Sequence, residues 1–372
     1  MTGDLPAVLA IDGGNSKTDA VLVAADGTLL ASARGPGVPG VRMLERTLAV
    51  LASTADDAMA AAGLPARCAD GQRVARHISA CVANADLPEE EAELASALRD
   101  RGWSQTVQVA NDTFAVLRAG LDGPLAGIGQ ESAAGRARPD GVARWGVAVT
   151  CGAGINCVGV APTGRTTGYL ALGPLTGDWG GGATLAQEAM WWAARAEDGR
   201  GPQTGLREAV IDHFGVGAVR DVAIGIHLGA IPAGRLLDLA PVVFDVARGG
   251  DGVAASLVRK LGDEISVMAV TVIRRLGLSG AAVPVVLGGS VLTAREPDLM
   301  ERISRGLAAG APRSQMRMVD VPPVAGAALL GLDQVAAPQE AEARLRAAYR
   351  ASSPAPPGTG GPAPWSGMAR LA

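Results

Sequence analysis

The sequence predicts an α/β protein built from two similarly folded halves. Strand-like apolar runs alternate with segments of helical period along most of the chain. The opening pattern, an apolar run, a glycine-rich turn and a second apolar run, returns at 145–164. The composition supports a large core, with 372 residues, 48% hydrophobic and 19% charged. Aromatic residues make up only 3%, so that core rests on Ala, Val and Leu.

The first half opens with three short strands, near 7–12, 18–24 and 28–33, the last two joined by a turn at Ala25-Asp26-Gly27. A helix is expected at about 42–62, then the run VARHISACVA at 74–83. A helix follows around 88–100, then a strand at 106–111 and a helix from about 113. The second half restarts with WGVAVTCGAGINCVGVAPTG at 145–164 and becomes more helical: 181–197, 203–213, 217–229, 233–248 and 252–276. In the last of these, Leu257, Val258, Leu261, Ile265, Met268, Val272 and Leu276 recur with a period near 3.6. Strands at 283–287 and near 315–320 flank a helix from about 295, and a proline-initiated helix, 322–332, precedes a charged one at 337–350. The Pro/Gly/Ser-rich segments 121–142 and 351–372 read as a mobile loop and a disordered tail.

The net charge of −4 and the lack of a basic stripe argue against a nucleic-acid surface. The N-terminus has no positively charged leader, and no apolar run approaches membrane-spanning length, so a cytoplasmic protein without a membrane partner is expected. Cys68, Cys81, Cys151 and Cys157 form no C-x-x-C pair, which favours buried reduced thiols over a metal site.

Four stretches carry candidate chemistry. In VLAIDGGNSKTDAVLVAADG the loop Gly13, Gly14, Asn15, Ser16, Lys17 and Thr18 offers freed backbone N–H groups and hydroxyls that suit anionic oxygens. Asp12 would repel a phosphate directly, but it fits if Mg²⁺ lies between them through water. An ordinary hairpin with an exposed aspartate accounts for the loop equally well. It is no P-loop, since Ser16 and not glycine precedes Lys17, and Gly152-Ala153-Gly154 enters a strand, which excludes a dinucleotide fingerprint. In TVQVANDTFAVLRAG, Asn111 and Asp112 end a strand and start a helix. Helix capping is the simpler reading in isolation, but the second glycine loop turns the balance toward a general base. Asp178 precedes a glycine run at another helix start, and Gly288-Gly289-Ser290 would let a flat ring approach the backbone.

The D-G-G-x-S-K-T opening, the N-D strand end, G-x-G-x-N, the G-D before a glycine run and the late G-G-S stand in one order across about residues 7–335. Together they resemble the N-acetylglucosamine kinase group of the BadF/BadG/BcrA/BcrD ATPase family, within the actin–hexokinase superfamily. The resemblance implies two ribonuclease-H-like domains of the actin-like ATPase type around a central cleft, with ATP and a sugar between them. Residues 1–120, completed by a C-terminal helix at about 323–350, would form one domain, and 121–322 the other, with a helical insertion. By position, Asp12 and Gly13 to Thr18 match the first phosphate motif, Gly152, Ala153 and Gly154 the second, and Gly288, Gly289 and Ser290 the adenosine motif. Asp112 matches the catalytic base, while Asn111, Asn156 and Asp178 match sugar-holding positions.

The implied function is an ATP- and Mg²⁺-dependent kinase of N-acetylglucosamine, acting at the 6-hydroxyl. Dimers are common among such kinases, so a homodimer is the assembly to test. A glucosamine or other amino-sugar kinase and an ATPase that activates a partner enzyme are the competing readings. Three positions depart from the eukaryotic relatives. Leu172 stands where they have tryptophan, which bears on acetamido recognition, Trp179 follows Asp178, and Ala153 replaces a hydroxyl residue in the second loop.

Overall fold

The computed structural model describes residues 5–66, 68, 72–127 and 144–352. Residues 128–142 of the expected mobile loop and 353–372 of the expected tail lie outside these.

Two five-stranded sheets dominate. The first comprises β1 (Val8–Gly13), β2 (Lys17–Val23), β3 (Leu29–Pro36), β4 (His77–Val82) and β5 (Thr106–Asn111), in the order β3-β2-β1-β4-β5. The second comprises β6 (Gly146–Cys151), β7 (Ile155–Val160), β8 (Thr166–Gly168), β9 (Pro284–Gly288) and β10 (Gln315–Met318), in the order β10-β9-β6-β7-β8. The two orders are the same topology: an antiparallel three-strand meander whose first strand is joined in parallel by the fourth. The repeated opening pattern is therefore a repeated sheet. The three-residue β8 has no counterpart among the expected strands.

Alternation along the strands explains the layers. Leu9 and Ile11 of β1 face one core with Leu48, Leu51 and Met59 of helix α1 (Leu44–Ala61), while Val8 and Ala10 face the other side. In β6, Val147, Val149 and Cys151 join the large core of the second half, and Ala148 faces the first half. That shared layer contains helices α3 (Asp112–Ala119) and α11 (Pro323–Gln334), with α11 against β1 and β4 and α3 against α11, β6 and β9. Helix α2 (Pro88–Asp100) crosses between β4 and β5. Proline begins it, and Glu90 Oε2 accepts the N–H groups of Asp86 and Leu87.

The second half carries the helical insertion: α4 (Gly181–Glu197), α5 (Leu206–Phe214), α6 (Val219–His227), α7 (Leu239–Arg248) and α8 (Gly252–Arg275). The helix expected from 233 begins as 3-10 turns over Ala233–Asp238 and becomes α-helical only at Leu239. Beyond β9 lie the one-turn α9 (Ser290–Thr293) and α10 (Pro297–Gly310), where a single helix is expected; α12 (Gln339–Ser352) ends the described chain.

Helices α3 and α11 cross at Gly326. A Cβ there would lie 1.9 Å from the Ala115 carbonyl oxygen, a backbone atom that cannot swing aside. Gly326→Ala is expected to destabilise the protein by about 1–3 kcal/mol through overpacking. A fall in the urea midpoint checks this, and an unchanged midpoint would show that the helices can separate freely.

Candidate active site

The site residues sit where strands end. β1 runs into Asp12-Gly13 and turns back at once, with Gly13 opposite Thr18 and the Gly14 N–H donating to the Lys17 carbonyl at 2.8 Å. The turn is braced from outside itself. Gly14 O accepts from Val38 N at 3.0 Å, Thr18 Oγ1 donates to Pro36 O at 2.7 Å, and the Asn84 amide donates to Asn15 Oδ1. Asn15, Ser16 and Lys17 remain exposed, with Lys17 paired to Asp19 at 3.0 Å. The loop is thus fixed at its base and open at its tip.

The second loop, Gly152-Ala153-Gly154, is fastened to the start of α4. The Gly182 N–H donates to Gly152 O at 2.7 Å, and the Ala183 N–H to Ala153 O at 2.9 Å. The Gly288-Gly289-Ser290 turn lies beside it. Gly289 has φ +92°, and a Cβ there would come within 2.4 Å of the Cys151 carbonyl, so this close approach requires glycine. A Cβ on Gly152 would lie 3.8 Å from Ser290 N and Oγ. The second glycine loop and the late G-G-S therefore form one surface. No hydrogen bond joins the first loop to the second among the described residues.

Asn111 and Asp112 connect the halves. Asn111 is the N-cap of α3, its Oδ1 accepting from Thr113 N at 2.9 Å. The same oxygen accepts from Asn156 Nδ2, on β7 of the other half, at 3.3 Å. Asp112 follows as the first residue of α3 and is half-buried. The capping reading of Asp112 is corrected: Asn111 caps α3, and Asp112 is the first residue inside the helix. Asp178 is partly exposed, accepts from Thr176 Oγ1 at 2.5 Å, and lies close enough to Asp86 to affect its titration. Trp179 beside it donates from Nε1 to Glu188 at 3.2 Å and carries Lys260 Nζ 3.9 Å over its ring. Leu172 is exposed on the same loop.

Electrostatics tie the acids together. Burial first, then the negative charges of Asp112 and Asp19, push Asp12 up to about 8, against the partial relief of Lys17 and Arg34. Burial raises Asp112 to about 6, with hydrogen bonds from Thr113 holding it lower than burial alone would. Asp86, which no motif marks, is raised to about 7 by burial and then by Asp112, Glu90, Asp178 and Glu91. Its Oδ1 accepts from Asn111 Nδ2 at 2.7 Å and from Asn156 Nδ2 at 3.4 Å. Like Asp178, it lies a few residues before a helix, a position too common to mark it by itself. Among the described residues no cluster of His, Cys, Asp and Glu could hold a metal, and the four cysteines are buried free thiols. No described helix is long and apolar enough to cross a membrane.

Two five-stranded sheets of one topology, with glycine loops and acids at their strand ends, make a two-domain α/β fold of the actin-like ATPase type. Residues 130–331 match the BadF/BadG/BcrA/BcrD ATPase family, and the chain belongs to that family. It is 24% identical over 237 residues to the N-acetyl-D-glucosamine kinase of Dictyostelium discoideum, covering 62% of this chain and 67% of that protein. It is 23% identical over 288 residues to an N-acetylmuramic acid/N-acetylglucosamine kinase of Clostridium acetobutylicum, covering 77% and 85%. Its fold is similar to a crystal structure from Chromobacterium violaceum, provisionally assigned as an N-acetylglucosamine kinase. The TM-score is 0.65 at 24% identity, over 88% of this chain and 99% of that one.

Proposed function

We propose that this chain is an ATP-dependent sugar kinase that phosphorylates N-acetylglucosamine at its 6-hydroxyl, with Asp112 as general base. The observation that carries the reading is the position of Asp112. Its carboxylate starts α3 beside the cap Asn111, whose amide meets Asn156 from the other half, and its charge reaches Asp12 at the first glycine loop. Phosphoryl transfer needs reactants held in line and charge neutralised more than it needs covalent help from the protein. N–H groups freed at Gly13 to Thr18 and at Gly152 to Gly154 are suited to hold ATP phosphates, and the Gly288-Gly289-Ser290 turn to admit the adenosine. Asn111, Asn156 and Asp178 supply donors and acceptors for sugar hydroxyls that leave water.

Asp12 is the residue that would hold Mg²⁺, through water. It fits the ion: a half-buried carboxylate at the base of the first glycine loop, near the acids Asp19 and Asp112, offers hard oxygen donors. Bound there, Mg²⁺ would neutralise phosphate charge. Asp112 would meanwhile orient the hydroxyl and accept its proton. The two domains closing would exclude water and limit idle ATP hydrolysis.

The test is ADP release from purified protein with ATP and Mg²⁺ across N-acetylglucosamine, glucosamine, N-acetylmuramic acid, N-acetylmannosamine and glucose. Release that depends on N-acetylglucosamine above the others supports the reading. Preference for glucosamine moves the substrate, and release indifferent to every sugar replaces the kinase with an ATPase acting on a partner. A pH profile adds a second check. Asp112 accepts a proton only when ionised, and its value is raised to about 6. The contribution of Asp112 is therefore expected to be present above that pH and to fall about tenfold per unit below it. A profile flat to pH 5 would contradict the assignment of Asp112.

A further inference from the structure

We propose that Asp86 is a positioning residue of the transfer site: its carboxylate gathers the Asn111 and Asn156 amides, one from each half, and so fixes the helix start that bears Asp112. The geometry runs in one direction. Asn111 Nδ2 donates to Asp86 Oδ1 at 2.7 Å, which orients the amide so that Asn111 Oδ1 faces the Thr113 N–H at 2.9 Å and caps α3. Without an acceptor at Asp86 that amide could turn over, and Asp112 would lose the anchor immediately before it. Asn156 Nδ2 reaches the same two oxygens, Asn111 Oδ1 at 3.3 Å and Asp86 Oδ1 at 3.4 Å, while its own Oδ1 accepts from Cys157 N at 2.7 Å. Three side chains from two domains thus share one node, with Asp86 the anionic member.

The node is held in turn. Glu90 on α2 accepts the Asp86 N–H at 3.1 Å, and Glu91 accepts the Asn111 N–H at 2.9 Å. Asp86 Oδ2 has no hydrogen-bond partner among the described residues, which leaves one oxygen for a ligand hydroxyl. The titratable groups that bear on Asp86 are Asp112 on α3, Glu90 and Glu91 on α2, and Asp178 before α4, all acidic, and with burial they raise its value to about 7. The ionised form is the better acceptor for both amides, so the node is expected to loosen as pH falls through that value.

The part of this inference that concerns turnover rests on the kinase reading; the part that concerns α3 does not. Native hydrogen exchange at the Thr113 amide is the test of the second part. Asp86→Ala is expected to raise it about 5-fold, as loss of a helix cap would, and unchanged exchange in a folded variant would overturn the proposal. For turnover, Asp86→Ala is expected to lower kcat with N-acetylglucosamine about 10²-fold, the usual effect of an ångström-scale misplacement. Asp86→Asn keeps an acceptor oxygen for the amides but cannot ionise. Its acid limb is expected to move down, from near pH 7 toward the pH 6 of Asp112. A limb that does not move would mean that Asp86 only supports the fold. Should the wild-type chain turn over no sugar, the kinase reading fails, and the exchange measurement still decides whether Asp86 holds α3.

Discussion

Asp112→Asn is expected to lower kcat by about 10²–10⁴-fold, the range that general-base catalysis contributes, with little change in KM for ATP. That loss corresponds to about 3–5 kcal/mol of barrier. The substitution keeps the shape of the side chain and removes its capacity to take a proton. The helix should survive it, because Asn111 and not Asp112 caps α3. One further effect follows from charge. Asp112 is, after burial, the main cause of the raised value of Asp12, so the variant should ionise Asp12 at lower pH. An unchanged melting temperature with collapsed turnover assigns the loss to chemistry. An Asp112→Asn protein that turns over N-acetylglucosamine at the wild-type rate would remove Asp112 from the mechanism.

The largest expected effect on stability lies at the other end of α3. Arg118 is almost completely buried and gives all its donors to fixed acceptors. Nε and Nη2 donate to Asp333 at 2.8 and 3.1 Å, Nη1 and Nη2 to Glu342 at 2.9 Å each, and Nη1 also to Leu121 O at 3.0 Å. Asp333 belongs to α11 and Glu342 to α12, so one guanidinium ties three helices. Arg118→Met is expected to destabilise the protein by about 3–5 kcal/mol, chiefly because Asp333 and Glu342 lose the buried guanidinium that both accept from. Adding Glu342→Gln should recover part of that loss, whereas a purely steric role for Arg118 would leave the double variant no better. Burial alone would raise Glu342, but Arg118, the Gly123 N–H and Arg346 outweigh it and bring the carboxyl down to about 2, from an ordinary 4.5. The folded value is the depressed one. Its contribution to stability is therefore complete above about pH 4.5 and disappears as pH falls toward 2.

Much of this site could be read in the chain because its chemistry is local. The Asp12 turn, the Gly152 loop and the Gly288-Gly289 turn each need backbone freedom within a few residues, and glycine marks that need directly. The N-D pair was legible for the same reason, as a strand end that is also a helix start. Asp86 was not. Its partners Asn111 and Asn156 lie 25 and 70 residues away, and nothing within Asn84 to Leu87 announces them. The strand Thr166–Gly168 escaped because three residues, none fully buried, carry no alternation to detect. The 3-10 turns at Ala233–Asp238 read as helix because their apolar spacing continues that of α7, and tertiary packing decides the pitch. The repeated opening announced two halves. That both sheets share one strand order emerges only from pairings between residues far apart in sequence.

The most direct measurement is phosphorus NMR of the protein incubated with ATP, Mg²⁺ and N-acetylglucosamine. Transfer to the sugar predicts equal amounts of ADP and a sugar phosphate monoester, with the ester phosphorus coupled to the two protons on carbon 6. ADP accompanied by free inorganic phosphate, with no sugar ester, would contradict it.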